Sequence, residues 1–421
     1  MTERGAEQPL PGGLMLRTAE PRDLEQIGAL LAERGEDADA LDHRLVVEDP
    51  DAGWESCAVV ADGDRIVSTA TLLEEQVRVR SVLLPAGQVE LVATAKSHEG
   101  RGLVRALMAW AHSRSAQRGH VVQVMIGIPY FYRLFGYEYA IDIAQPRTVD
   151  AGAESGHAET APDLRRASLA DVTALRALQD AAQATADVAM PHSAARTRWL
   201  VQHESSTTWV LDRDGRVVAS VRVPVDDDAD AEADLLATEV AATDALAARE
   251  LLSRLRAWAG PRQVRVVARP GTVTDLAWSE QLRPAEDTAA QQYYVRIPDP
   301  ATLIERLRPV LDQRLARARA AGISTADVPA VVLSSFGRHY RLPIGPDRLG
   351  AVTSGGPVQA PGAVGGAGVA PDALGALLLG QRGIAALTRQ RPDVYPGPNR
   401  ALFETLFPPQ TADLLTYYLP Y

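Results

Sequence analysis

The chain has 421 residues, too many for one hydrophobic core, and 46% of them are apolar, enough to build two or three domains. Its formal net charge of −11 argues against nucleic acid as a partner, because phosphate backbones demand basic surface. No apolar run approaches the roughly 20 residues that a membrane span needs, residues 1–13 are polar and do not read as an export signal, and a cytoplasmic protein is expected. The single cysteine, Cys57, excludes an internal disulfide and a multi-cysteine metal cluster, so no metal is expected. Acid is concentrated early: residues 1–75 carry 18 Asp and Glu against 6 Arg, a net of −12. That excess reads either as a solvated helical face or as a surface for a cationic partner.

In chain order, residues 14–18 read as a short strand, and Pro21, Arg22 and Asp23 open a helix with Leu24, Ile27, Leu30 and Leu31 at helical spacing. Strand-like runs follow at 56–61, 65–73, 77–82 and 88–95, with a tight turn at 62–64. A helix is predicted over 102–118, stopped by Gly119, and a strand over 121–127. A second unit starts near Leu164, Arg165 and Arg166 and repeats the pattern. Residues 92–111 match residues 240–259 without a gap, with Arg101, Leu103 and Trp110 against Arg249, Leu251 and Trp258. This reads as a duplicated domain, or as chance similarity in an Ala-rich chain. Gly100 and Gly102 fall against Ala248 and Glu250, so the second copy is expected to be degenerate. A third region begins near Ile297, with a helix at 301–320 kinked by Pro309, strands at 330–336 and 341–344, a loop at 355–368, and helices at 371–379 and 401–406. Residues 414–421 are apolar and aromatic, unlike a frayed tail.

Two segments carry chemistry. The strand ending at Ala95 runs into Lys96, Ser97, His98, Glu99, Gly100, Arg101, Gly102, Leu103, Val104 and Arg105 at a helix start, where free N–H groups and the positive end of the helix dipole meet an anion. The bland alternative is a plain helix start with Gly102 there for packing. Downstream lies Gly127, Ile128, Pro129, Tyr130, Phe131, Tyr132, Arg133, Leu134, Phe135, Gly136 and Tyr137, where Tyr132 is either a core aromatic like its neighbours or a proton donor. His98 and His112 lack partner spacing and are read as solvated.

These two segments resemble the acetyl-CoA-binding core of GNAT-type N-acetyltransferases, and the chain as a whole resembles their Eis (enhanced intracellular survival) branch, with Tyr132-Arg133-Leu134-Phe135-Gly136-Tyr137 and Arg101-Gly102-Leu103-Val104-Arg105 carrying the likeness. The resemblance implies an α/β fold class: two tandem GNAT folds, the second degenerate, plus a C-terminal α+β domain resembling sterol carrier protein. The corresponding spans are 14–150, 160–298 and 299–421. It implies that acetyl-CoA is held by Val92, Ala93 and Thr94, by Gly100, Arg101, Gly102, Leu103, Val104 and Arg105, and by Gly127 and Ile128. Tyr132 would be the general acid, and the C-terminal carboxylate, here that of Tyr421, the general base; an apolar tail packed for stability is the alternative. The acceptor would be a cationic amine (an aminoglycoside, a polyamine or a lysine side chain) acetylated by direct transfer, and the protein a homo-oligomer, a hexamer by resemblance. The rival expectation is a non-enzymatic lipid- or partner-binding protein with a vestigial GNAT core.

Overall fold

The structure, a computed structural model, describes residues 7–150, 164–225, 234–267, 269–285 and 291–414. Strands β1 (Gln8–Leu10) and β2 (Leu14–Thr18) lead to Asp23, whose carboxylate accepts from Glu20 N at 2.8 Å and from both Arg17 Nη atoms at 2.6 and 2.8 Å. This cap starts α1 (Leu24–Arg34), which buries Ile27, Leu30 and Leu31. A further helix, α2 (Ala38–Val47), follows at residues for which the sequence predicts no separate element. Then come β3 (Cys57–Asp62), β4 (Arg65–Val79) and β5 (Val82–Thr94). The strand expected at 77–82 is the far end of one long β4–β5 hairpin that turns at Arg80, with φ +53°. The first unit closes with α3 (Leu103–Gln117), β6 (Val122–Met125), β7 (Glu138–Asp142) and β8 (Pro146–Thr148).

The second unit comprises β9 (Arg165–Arg166), α4 (Val172–Gln183), β10 (Val188–Ala189), α5 (Ala194–Gln202), β11 (Ser206–Arg213), β12 (Arg216–Pro224), β13 (Leu235–Ala242), α6 (Ala245–Ala259), β14 (Val264–Val267), α7 (Val273–Trp278) and β15 (Gln292–Arg296). The two sheets exchange strands. The first runs β1-β2-β3-β4-β5-β6-β15-β7, so β15, which follows the second unit, is wedged between two strands of the first. The second runs β8-β14-β13-β12-β11-β9 and takes β8 from the end of the first unit. Linear cuts near 150 and 298 therefore separate hydrogen-bonded neighbours.

The repeat is visible in backbone detail. Arg165, Ser168 and Asp171 rebuild the cap of Arg17, Glu20 and Asp23 at an offset of 148 residues, with Asp171 held at 2.8 Å by Arg165 Nη1 and Nη2 and by Ser168 N. At the same offset, Leu91 and Glu239 are both forced to positive φ, +52° and +48°, each beside a break in strand register. Such a bulge in a non-glycine residue is costly, and its recurrence argues for duplication over chance similarity.

The third region contains α8 (Pro300–Ala320), β16 (Ala330–Ser334), β17 (His339–Pro343), β18 (Thr353–Gly355), β19 (Ala367–Val369), α9 (Leu374–Leu379), α10 (Gly383–Gln390), β20 (Val394–Tyr395), α11 (Arg400–Leu406) and β21 (Ala412–Asp413). Its sheet is β18-β17-β16-β19-β20, with β19 and a 3₁₀ turn, Pro361–Val364, inside the segment expected to be a loop. Helix α8 continues through Pro309 as one element and buries Leu303, Ile304, Leu307, Leu311 and Leu315 in a core shared with Leu84, Val122 and Val295 of the first sheet. The chain end joins this assembly: β21 lies parallel on β10, which pairs with the end of β4, and the Tyr293 hydroxyl donates to Leu414 O. Residues 415–421, with Tyr421, lie outside the described residues.

Candidate active site

Strands β5 and β6 pair in parallel only at Ala86–Val122 and Gly87–Gln123, then diverge. The bulge at Leu91 turns the end of β5 away, so Val92, Ala93 and Thr94 lie beyond that ladder, on the edge β5 turns toward the cleft, while Ala93 and Thr94 pair with Thr69 and Ser68 of β4 on the other side. The Ser68 hydroxyl donates to Ala93 O at 2.9 Å and lies 2.7 Å from Thr94 Oγ1, which pins the strand. A strand edge opened this way accepts an extended, amide-bearing ligand as one more strand.

Beyond it, Gly100 and Gly102 take φ +73° and +79°, and a Cβ at either would meet nothing within 4 Å. Gly102 is the N-cap of α3, with no side-chain cap and no acid in the first turn. The turn thus leaves Leu103, Val104 and Arg105 amides at a helix N-terminus with room for an anion. In the second unit this loop is deleted rather than substituted: residues 95–102 separate β5 from α3, but only 243–244 separate β13 from α6. The ungapped match through the helices therefore fails in space, and Ala248 and Glu250 are not the counterparts of Gly100 and Gly102. Asp244 caps α6 by accepting from Ala247 N at 2.8 Å. Arg269 lies two residues past β14 as Gly127 lies two past β6, and its guanidinium donates to Val240 O at 3.2 Å, Gln179 Oε1 at 2.8 Å and Asp413 Oδ2 at 2.8 Å.

Tyr132 sits on a 3₁₀ turn, Phe131–Phe135. Its ring is buried, edge-on to Tyr137 at 6.2 Å and to Tyr294 of β15 at 5.9 Å. Gly127 is required here, because a Cβ on it would lie 2.3 Å from Tyr132 Cε2. Ile128 is exposed, and its carbonyl accepts from the Tyr294 hydroxyl at 3.1 Å. Burial, and after it the charge of Glu90, raises the Tyr132 phenol above the usual tyrosine range, so it stays protonated.

Glu90, on β5 one residue before the bulge, is the group that sequence reasoning missed. It is buried, and burial pushes its carboxyl up to about 8, against the lowering effects of a hydrogen bond from Gln88 and the charge of Arg196. The negative charge of Asp39 on α2 adds to the rise. A carboxyl poised near neutrality beside a protonated phenol is the pairing that acid–base catalysis requires. Its only trace in the sequence is one acid inside an apolar strand.

Residues 16–140 match the acetyltransferase (GNAT) domain family. The first unit is a GNAT acetyltransferase domain. No curated protein matches the sequence. Solved structures of the same fold include a GCN5-related N-acetyltransferase from Kribbella flavida, 19% identical with a TM-score of 0.62, covering 96% of this chain and 100% of that one. Another from Anabaena variabilis is 12% identical with a TM-score of 0.68 and the same coverage. Eis1 from Mycobacterium abscessus is 16% identical with a TM-score of 0.58, covering 94% of this chain and 98% of its own.

Within the GNAT domain the histidines are not solvated as expected. His98 is buried, with Nε2 3.2 Å from Asp62 Oδ2, and His112 packs on Tyr137 at 5.7 Å and is pushed down to about 4 by burial. Cys57 is fully buried and its thiol is raised to about 11 by desolvation, which disfavours a thiolate nucleophile. Part of the early acid is structural: Asp23 binds Arg17, Asp49 binds Arg198 at 2.8 and 2.9 Å, and Asp42 lies 3.1 Å from His203. Glu33, Glu36 and Asp37, around the α1–α2 connection, remain exposed. Among the described residues no His, Cys, Asp and Glu group suits a metal ion, and no helix is long and apolar enough to cross a membrane.

Proposed function

We propose that the chain is an acetyl-CoA-dependent N-acetyltransferase of the Eis kind that acts on cationic amines by direct transfer. The observation that carries this reading is the buried Glu90 carboxyl at the bulge of β5, raised to about 8, whose charge acts on a Tyr132 phenol that stays protonated. The open turn at Gly100 and Gly102 fits a pyrophosphate, and the β5 edge fits the pantetheine amides. The amine nitrogen bonds to the thioester carbonyl carbon, Glu90 takes the ammonium proton, the C–S bond breaks and Tyr132 protonates the departing thiolate. Asp39 and the exposed Glu36 and Asp37 favour a positively charged acceptor. The five-stranded sheet and helices of the third region are consistent with a sterol-carrier-like domain. The vestigial-core alternative is disfavoured because the first unit keeps the glycine turn before α3 that the second unit lacks before α6.

The test is Tyr132→Phe, which keeps the ring and removes the proton. kcat is expected to fall by about 10²-fold, with acetyl-CoA affinity by calorimetry unchanged. Wild-type turnover would return Tyr132 to the role of a core aromatic.

The rival base is the terminal carboxylate of Tyr421, which the likeness to Eis implies; the chain leading to it is held at Asp413 by Arg269 and buried at Leu414. Adding residues after Tyr421 converts the terminal carboxylate to an amide. With Glu90 as base, turnover of the extended protein should remain within about twofold of wild type. A tenfold loss with acetyl-CoA binding intact would assign the proton to the terminal carboxylate.

A further inference from the structure

Helix α5 of the second unit packs on the face of the first sheet that carries α2. Trp199 Nε1 donates to Leu45 O at 3.1 Å, and Arg198 binds Asp49. From the same helix Arg196, 1% exposed, reaches into the first sheet. Its Nη2 donates to Glu75 of β4 and, at 2.9 Å, to Gln88 Oε1 of β5, and Gln88 Nε2 in turn donates to Glu90 Oε1. The guanidinium also lies 5.8 Å from the Trp199 ring centroid. Nε and Nη1 of Arg196 find no acceptor among the described residues. A buried ion pair with two orphaned donors is a poor stabiliser, since apolar side chains of similar volume usually do as well or better. Its distinguishing property is where it leads: a continuous chain of polar contacts from the second unit to Glu90.

We infer that Arg196, carried by the degenerate unit, is a positioning residue for the reaction in the first unit, acting through Gln88 to orient the Glu90 carboxylate and hold it ready to accept the amine proton. The inference rests on Glu90 being the base. The charged and titratable groups acting on Glu90 are Asp39 from α2, Glu75 from β4 and Arg196 from α5, and the Tyr132 phenol in turn feels the charge of Glu90. The positive charge of Arg196 favours the carboxylate, whereas Asp39 and Glu75 oppose it. Gln88 adds a hydrogen bond that only the ionised oxygen accepts well. The second unit then has a use without a cofactor: it packs α5 against the first and delivers one cation toward the base.

The experiment compares pH profiles of kcat/KM for wild type, Glu90→Gln, Gln88→Met and the paired Glu75→Leu, Arg196→Met variant. The pair removes both buried charges together, so neither is stranded, and Gln88→Met cuts the contact while leaving the ion pair in place. In wild type the rate should rise with pH through about 8 as Glu90 ionises, and this limb should vanish in Glu90→Gln. Losing the Gln88 donor disfavours the carboxylate, so the limb should move to higher pH in Gln88→Met; in the paired variant the loss of Arg196, the larger effect, outweighs the loss of the opposing Glu75, so the limb should move the same way by a smaller amount. A displacement of about 0.5–1 pH unit lowers kcat/KM at pH 7 by about three- to tenfold, with recovery at high pH and an unchanged KM for acetyl-CoA. A merely structural role would lower the rate equally at every pH. If Glu90→Gln removes the limb and neither other variant moves it, the role of Arg196 is overturned while Glu90 stands. If Glu90→Gln leaves the limb in place, both are overturned.

Discussion

Glu90→Gln is expected to lower kcat by about 10²–10⁴-fold, the range associated with losing a positioned general base, while acetyl-CoA affinity changes by less than about twofold. The amide keeps the size of the carboxyl and can still contact Gln88, so the loss reads proton transfer rather than packing. Burial raises the carboxyl to about 8, so at pH 7 most of the wild-type protein holds the protonated, inactive form. The sign follows: activity should climb between pH 7 and 9, the reverse of a carboxylate that acts only as a charge partner. Stopped-assay rates with a free-thiol readout, taken across that range on both proteins, are the measurement. A variant with wild-type turnover and an unchanged profile would remove Glu90 from the reaction.

Gly102→Glu is expected to abolish acetyl-CoA binding, with at least a hundredfold loss of affinity by calorimetry and a fall of only a few degrees in melting temperature. The backbone at φ +79° disfavours any side chain by about 1–2 kcal/mol, but a Cβ there meets open space, so the loop itself has no clash to relieve. The carboxylate would stand where the helix N-terminus offers its amides to a pyrophosphate, and like charges at a partly desolvated site repel strongly. Gly102→Gln shares the backbone strain without the charge and separates the two effects: it should bind more weakly than wild type and much more tightly than Gly102→Glu. Equal losses in both variants would mean that the conformation, not the anion, explains the glycine.

Much of the GNAT domain was legible in the linear chain because its signals are local. The run from β5 through Gly100 and Gly102 into α3 depends on contiguous residues, since a positive φ favours glycine and a helix start is a matter of a few adjacent amides. The Tyr132 segment was legible for the same reason, as a run of contiguous residues that forms one 3₁₀ turn. The duplication was visible at its strand, where the offset is constant. It was misread in the helix, because an Ala-rich helix matches another in several registers and conceals the six-residue difference between the two connecting loops.

By itself the sequence determined much of the order of elements, the acidic early region, the lone cysteine and the glycine-marked helix start of α3, all of which depend on composition or on neighbours in the chain. Only the tertiary structure decided what surrounds them. Strand β15, some 150 residues beyond β7, is its partner and brings Tyr294 onto Tyr132, and Arg196 of α5 reaches Glu90 through Gln88. Arg269 ties backbone from β13 to a carboxylate from β21. The physical reason is common to all three. Strand pairing and the burial of charge depend on which distant segments share an edge or an interior, and one glutamate in an apolar strand looks like a misplaced surface residue until the arginine and the phenol on either side of it are in place.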